Sequence, residues 1–255
     1  MKFLKKIKDS RLNLLLMLLY PVVTFYLLEW FTHNPWKTMK ATPQVLNIIM
    51  FELIALLLFA AIGRLHVALM AETLFFFLYG LVNYFVLNFR SVPIQPWDLF
   101  SIRTAASVAD NYEYSLDKQA LLVVIGFLVL LLLEFFCRFT LKKGTWKFRI
   151  PTAAVICGML IAFGAMFHSD EIVQQKLRLY DKLFTPTTIS FKNGTALAFV
   201  MELRYISVDK PAGYNADTAK EELEAYAAPE ETPEKTPNII AVSYTHLTLP
   251  TIYSV

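Results

Sequence analysis

The run VLNIIMFELIALLLFAAIGRLHVALMAETLFFFLYGLVNYFVL, residues 45–87, decides the fold. About 20 apolar residues cross the hydrocarbon core of a bilayer as a helix, and this run holds two such stretches, 45–62 and 65–87, separated only by Gly63 and Arg64. So short a connection demands an antiparallel hairpin of two spanning helices.

Working outward, the same reading applies to residues 12–31 upstream and to 120–136 and 150–167 downstream. Five crossings are expected, an all-α polytopic membrane domain. Composition agrees: 56% of the chain is hydrophobic and 15% aromatic, with a mean hydropathy of +0.47, whereas soluble domains carry about 45–50% apolar residues even with glycine counted. The net charge of +3 is small, and the basic residues cluster beside apolar segments. That pattern speaks for membrane orientation and against a nucleic-acid partner.

Lys2, Lys5, Lys6, Lys8 and Arg11 precede the first apolar run. A cleavable signal has an apolar core of about 7–15 residues and a small-residue cleavage site. The run here is longer and ends in Glu29-Trp30-Phe31, so it reads as a retained first span, kinked at Pro21. Positive residues near span ends stay in the cytoplasm. The N-terminus, the Arg64 turn and residues 138–149 hold most of the membrane domain's lysine and arginine, which places the N-terminus inside and the C-terminus outside. Cys137 and Cys157 then lie at the cytoplasmic end of the fourth span and within the fifth, where packing is the expected role of both and no metal spacing is present.

The longest polar interruption is residues 88–118, which opens Asn88-Phe89-Arg90-Ser91-Val92-Pro93-Ile94-Gln95-Pro96-Trp97-Asp98-Leu99. Loops of that length are usually functional or disordered, and the apolar residues behind the prolines argue for order. Arg90 and Arg103 are candidate ligands for a lipid phosphate, because a guanidinium offers a planar fork matched to phosphate oxygens. Trp97 suits the headgroup level, and Asp98 would orient an arginine or accept glycerol hydroxyls. The competing reading is structural: Pro93 and Pro96 stiffen a re-entrant cap while Asp98 and Arg103 form an ion pair. Glu29, Glu52, Glu72 and Glu134 are acids in or at the ends of apolar spans, where function is the default hypothesis. Glu29 and Glu134 are placed near span ends within reach of water, Glu52 and Glu72 deeper, with an ion pathway weighed against an interhelical hydrogen bond. His66 is read as a solvated end residue.

Polar residues dominate from His168 onward. Residues 170–183 suit a short helix ended by Pro186, and 193–207 an amphipathic helix with Ala196, Phe199, Val200, Leu203 and Ile206 on one face. Such a helix lies on the membrane or packs under a following domain. Asn193-Gly194-Thr195 matches a glycosylation sequon. A third helix is expected over 217–226 after an Asn215 cap, followed by a Pro/Glu linker at 229–237 and the apolar run Asn238-Ile239-Ile240-Ala241-Val242, which suits a buried strand.

The five spans, the loop Phe89-Arg90-Ser91-Val92-Pro93-Ile94-Gln95-Pro96-Trp97-Asp98-Leu99, the juxtamembrane Lys192-Asn193-Gly194 and Lys235-Thr236-Pro237-Asn238-Ile239-Ile240-Ala241-Val242 together resemble the lipoteichoic acid synthase family, over residues 1–242. The resemblance implies a five-helix membrane domain at 1–168, an extracellular juxtamembrane helical region at 169–228, the linker at 229–237 and, at 238–242, the first strand of a sulfatase-like α/β domain of the alkaline phosphatase superfamily. It implies transfer of glycerol phosphate from phosphatidylglycerol to a cell-envelope polymer at a bacterial cell membrane, by a threonine nucleophile and a divalent metal, usually manganese. Such machinery activates a nucleophile and neutralises phosphoryl oxygens. Where the family's strand runs on to an acidic metal ligand, this sequence has Ser243-Tyr244-Thr245-His246, and residues 243–255 contain no carboxylate.

Residues 243–255 are therefore expected to be a foreign tail, and the chain to lack the catalytic domain and to be inactive alone. It is expected to hold no catalytic residue and no cofactor or metal, to have membrane lipids and the missing domain as partners, and to bind lipid through Arg90, Trp97, Asp98 and Arg103. The oligomeric state and the acceptor are left open. The alternative is a non-enzymatic polytopic protein, a transport accessory or assembly scaffold, working through Glu52 and Glu72.

Overall fold

The structure is a computed structural model that describes residues 10–101, 114–137, 139–141, 146–182, 184–206 and 215–225. The chain forms two compact units, Met1–Ser207 and Val208–Val255. The described part of the second unit is one helix, α9 (Ala216–Ala225), begun where the Asn215 side chain accepts from the amide of Asp217 at 3.0 Å. The linker, the 238–242 strand and the 243–255 tail all lie outside the described residues.

The first unit is a helix bundle. Its long helices are α1 (Ser10–Trp30), α3 (Ala41–Ile62), α4 (Leu65–Arg90), α5 (Lys118–Phe135) and α6 (Trp146–Met166), with α2 (Pro35–Thr38) as one turn between α1 and α3. Four stretches, Ala41–Ile62, Leu65–Arg90, Lys118–Phe135 and Lys147–Met166, are each long and apolar enough to cross a membrane. The apolar part of α1 among the described side chains, Leu15–Trp30, is shorter. Helices α1 and α4 sit at the centre, each touching α3 and α5, while α6 leans on the outer side of α3. The core is aromatic: Phe25, Phe31, Phe51, Phe76 and Phe127 are buried in one cluster, with Phe51 and Phe76 stacked at 3.9 Å between ring centroids. Leu122, Leu128, Leu132 and Ile161 point outward and are exposed, as apolar side chains facing lipid would be.

At one end of the bundle the α3–α4 turn is closed by Gly63, whose φ of +76 supplies the left-handed C-cap that a side chain resists. The Arg149 Nε donates to Ala60 O at 2.9 Å, satisfying a carbonyl that the helix end leaves without a partner. Leu65 N donates to Phe139 O and Leu141 N to Gly63 O, both at 2.9 Å, so an isolated antiparallel bridge between Arg64 and Thr140 ties this turn to the α5–α6 connection. The two basic connections that the sequence assigns to one side share this end.

Inside the bundle, acids are more deeply placed than their sequence positions imply. Glu29 and Glu134, read as reaching water at span ends, are 0% exposed, and Glu72 is 1% exposed. Glu52, read as one of the deep pair, is half-buried. The reason is coverage by neighbouring elements, which distance along a helix does not register. Thr73 Oγ1 donates to Glu134 Oε1 at 2.6 Å and lies 3.0 Å from Thr24 Oγ1, linking α1, α4 and α5. Cys137 is buried as expected, but Cys157 is exposed on α6 and packs on no core. His66 is half-buried.

The chain beyond α6 departs from the expected two helices. A π-helical turn, Glu171–Lys176, gives way to irregular chain. Pro186 then starts α7 (Pro186–Asn193) instead of ending a helix, since proline's missing N–H costs nothing at a first helical position. Gly194 (φ +93) divides the expected 193–207 helix, separating α7 from α8 (Thr195–Glu202), which runs into a 3₁₀ turn, Leu203–Tyr205. Ala196, Leu197, Ala198 and Met201 are buried against the bundle, whereas Leu203 and Ile206 are about two-fifths exposed, at 40% and 41%.

Thr73→Val keeps the side-chain shape but removes the donor that serves Glu134. A loss of about 1–2 kcal/mol is expected, within the range of buried interhelical hydrogen bonds, read as a lower melting temperature in detergent. An unchanged melting temperature would show that the Thr24–Thr73–Glu134 chain contributes no net stability.

Candidate functional site

The candidate site is the end of the bundle where α4 runs into the Pro96–Ser101 turn and where α7 and α8 pack. Its loop half is organised by Arg90, the last residue of α4. The chain turns at Ser91 in the left-handed region (φ +58), and the Arg90 guanidinium then fills the space that the turn encloses. Its Nη1 donates to Asp98 Oδ1 at 2.8 Å, its Nη2 to Asp98 Oδ2 and, at 2.8 Å, to Pro93 O, and its Nε to Val92 O at 3.2 Å. Asp98 Oδ2 also accepts from the amide of Gln95 at 2.7 Å, at the entry to a 3₁₀ turn, Pro96–Ser101. The buried Asn83 of α4 accepts from Ile94 N at 2.8 Å, and Thr187 Oγ1 of α7 donates to Ser91 O at 2.8 Å.

The partner of Asp98 is thus Arg90, where the structural reading of the sequence had named Arg103. Arg103 lies outside the described residues. All three kinds of guanidinium nitrogen on Arg90 are engaged within the loop, and bidentate pairing of this sort fixes geometry as well as charge. Trp97 is 40% exposed beside Leu99 and Phe100, at 55% and 77%. The cap therefore presents an apolar edge outward while its charges face inward. Tyr114 edges onto Phe85 and Phe89 with ring centroids 5.1 and 5.6 Å apart, and Asp117 caps α5 by accepting from Ala120 N at 2.7 Å.

The second half is the Asn193-Gly194-Thr195 corner, which plugs into the bundle. Glu29 accepts from Thr195 N at 2.8 Å and from Thr195 Oγ1 at 3.0 Å. Asn47 of α3 donates to Pro43 O at 2.8 Å and to Asn193 O at 2.7 Å, and its Oδ1 accepts from Leu197 N at 3.3 Å. Two amides at the start of α8, which a helix cannot satisfy itself, are thereby met by side chains of α1 and α3. A Cβ on Gly194 would come within 2.6 Å of Asn47 Nδ2, so close approach and a positive φ both select glycine. The Asn193 amide spans Tyr180, accepting from its N–H at 3.0 Å and donating to its carbonyl at 2.6 Å. At 1% exposure Asn193 is closed to a glycan, and the sequon reading gives way to a packing one.

His33, stacked on Phe191 at 4.8 Å, places Nε2 3.6 Å from Glu29 Oε2. Burial pushes the imidazole down to about 4, so His33 is neutral and this contact is no ion pair. Beyond α8, Arg204 gathers Asp181, Asp170 Oδ1 at 3.0 Å and Phe167 O at 3.2 Å. Among the described residues no group of three or more His, Cys, Asp or Glu is arranged to hold a metal ion.

Glu29 and Asn193-Gly194 stand out separately in the sequence, and only the fold joins them. The available signal was a lone asparagine in an apolar helix, Asn47, together with a Gly-Thr step opening a later helix. Comparison with family models, curated proteins and solved structures finds no match to this chain.

Glu202, at the end of α8, ties the two halves through a hydrogen bond with the Gln95 side chain. Burial, with Asp98 and Asp181 nearby, pushes its carboxyl up to about 7 from an ordinary 4.5, against the pull of Gln95. The folded state therefore binds the proton more tightly than the unfolded chain, and the stability this contributes is complete below 4.5 and lost as pH rises towards 7. Glu202→Gln is expected to melt higher than the parent above that window, by about 1–3 kcal/mol, and to converge with it at acid pH. A difference independent of pH would remove the burial assignment.

Proposed function

We propose that this chain is the membrane-anchoring portion of a lipoteichoic acid synthase-like phosphoglycerol transferase, a multi-pass protein of a bacterial cell membrane. In this reading α1 is the first of five crossings, the Arg64 and 138–149 end faces the cytoplasm, and the loop end faces outward. The chain supplies the mount and the missing sulfatase-like domain the chemistry, with phosphatidylglycerol as glycerol phosphate donor.

The observation that carries the reading is the seating of Asn193-Gly194-Thr195 on Glu29 and Asn47. A flexible tether needs no buried carboxylate and asparagine to receive it; a domain held at fixed height over the membrane does. The Arg90–Asp98 pair stiffens the adjoining cap, leaving Trp97 at headgroup level and Arg103 as the arginine for a lipid phosphate.

A second reading, a non-enzymatic proton or ion pathway, draws on Glu72 Oε1 and Glu134 Oε2, which are buried and have no hydrogen-bond partner among the described residues, and on the nearness of Glu134 and Glu52 to Glu72. The locus separates the two. A frame that continues past Val242 into a metal-ligating acidic segment and a threonine nucleophile supports the transferase; a stop codon directly after Val255 in intact genomic DNA contradicts it. In the full-length transferase, Arg103→Ala is expected to weaken phosphatidylglycerol affinity roughly tenfold, the worth of one charge-assisted contact, and Arg90→Ala to weaken it indirectly, by releasing the cap that Arg90 holds through Asp98. Unchanged affinity and polymer synthesis in both variants would remove the headgroup role.

A further inference from the structure

We infer that a pocket beside the Asn193 corner binds the phosphate group of an anionic ligand at the membrane interface. The pocket encloses about 200 Å³ and is lined by Lys40, Arg178 and Lys192 together with Thr38, Tyr180, Asn193 and the apolar Pro43 and Leu179. This is smaller than a drug-sized cavity and suits a headgroup, not a whole lipid. The inference stands on these residues and does not depend on the transferase reading.

Three features make this a built site. The cations come from separate parts of the chain: Lys40 immediately precedes α3, Arg178 lies in the irregular chain after the π-helical turn, and Lys192 belongs to α7. All three are exposed, and two of them are held by neighbouring structure. Arg178 takes a φ of +51, uncommon for a residue with a side chain, the buried Asn193 amide clamps Tyr180 two positions on, and Lys192 Nζ sits 4.4 Å from the Tyr180 ring centroid.

The third feature is charge imbalance. The acids of this region are already committed, Asp170 and Asp181 to Arg204 and Glu171 to Lys176. Among the described residues none of Lys40, Arg178 and Lys192 forms an ion pair. Three like charges converging on one concavity repel one another unless an anion sits between them, and a concave site focuses their field.

The depth of the pocket indicates the source of the phosphate. Lys40 opens an apolar helix long enough to span, and Trp30 and Trp36, edge-to-face at 5.2 Å and exposed, flank the same end. Tryptophan at a span end marks the headgroup layer. A phosphodiester headgroup in that layer reaches the pocket without leaving the bilayer, and a soluble phosphate offers the same chemistry from the aqueous side.

Amine-reactive labelling of the full chain, read by mass spectrometry, tests this, with the exposed Lys37 as internal reference. Labelling is compared in glycolipid nanodiscs, which carry no phosphate, in the same nanodiscs with added phosphatidylglycerol, and in maltoside detergent titrated with inorganic phosphate. Lys40 and Lys192 are expected to be protected roughly tenfold relative to Lys37, the worth of one charge-assisted bond. Protection by phosphatidylglycerol alone identifies a lipid headgroup, and protection also by inorganic phosphate a site open to free anions; both support the pocket. Arg178→Gln, with helix content unchanged by circular dichroism, is expected to abolish the protection. Equal labelling in all three conditions, protection shared by Lys37, or protection that survives Arg178→Gln would overturn the site.

Discussion

The loop end of this molecule depends on one carboxylate. Glu29, at the last turn of α1, accepts two hydrogen bonds from Thr195 where α8 begins, and it does so at 0% exposure. Leaving such a group buried and unpaired is costly, so α1 and the α7–α8 segment need each other. The direction of α8 adds to this, because the start of a helix carries partial positive charge and favours an acidic partner. Asn47 extends the same contact with two hydrogen bonds, to Asn193 O and from Leu197 N, and makes a third to Pro43 O within α3, leaving none of its amide atoms idle.

From that contact the arrangement of the loop end follows. Seating α8 fixes α7 through Gly194, α7 reaches Ser91 through Thr187, and Glu202 meets Gln95 in the Arg90–Asp98 cap. The cap, the corner and the Arg204 cluster thus form one continuous polar layer over an aromatic core. The opposite end is closed by different means, an arginine on the free carbonyls of α3 and a two-bond bridge to the α5–α6 connection. That arginine, Arg149, comes from α6, whose candidate span is the least buried of the four.

Much of this was legible in the sequence. The helix hairpin at 45–87 could be read because two apolar runs flank a two-residue turn, and the spans at 120–136 and 150–167 match α5 and α6 within a few residues at each end. The cap was legible as an ordered loop, and its arginine and aspartate were both named. Their pairing was not, since Arg90 reaches Asp98 only after Ser91 enters the left-handed region, which serine does not announce. Likewise Pro186 marks a helix boundary without saying on which side the helix lies, and Gly194 within an apolar pattern gives no sign that Asn47 stands 2.6 Å from where its Cβ would be. The burial of Glu29 and Glu134 was hidden for a related reason: a residue near a span end is dry or wet according to what covers it, and the cover comes from elsewhere in the chain.

The most direct measurement is amide hydrogen exchange on the full chain in nanodiscs, comparing the parent with Glu29→Ala. If Glu29 holds α8 on the bundle, the Thr195 and Leu197 amides exchange roughly tenfold faster or more in the variant, as loss of the hydrogen bonds to a buried acid side chain requires, while amides in the middle of α5 are unchanged. Exchange at Thr195 and Leu197 that stays as slow as in the parent would contradict the central role given to this contact.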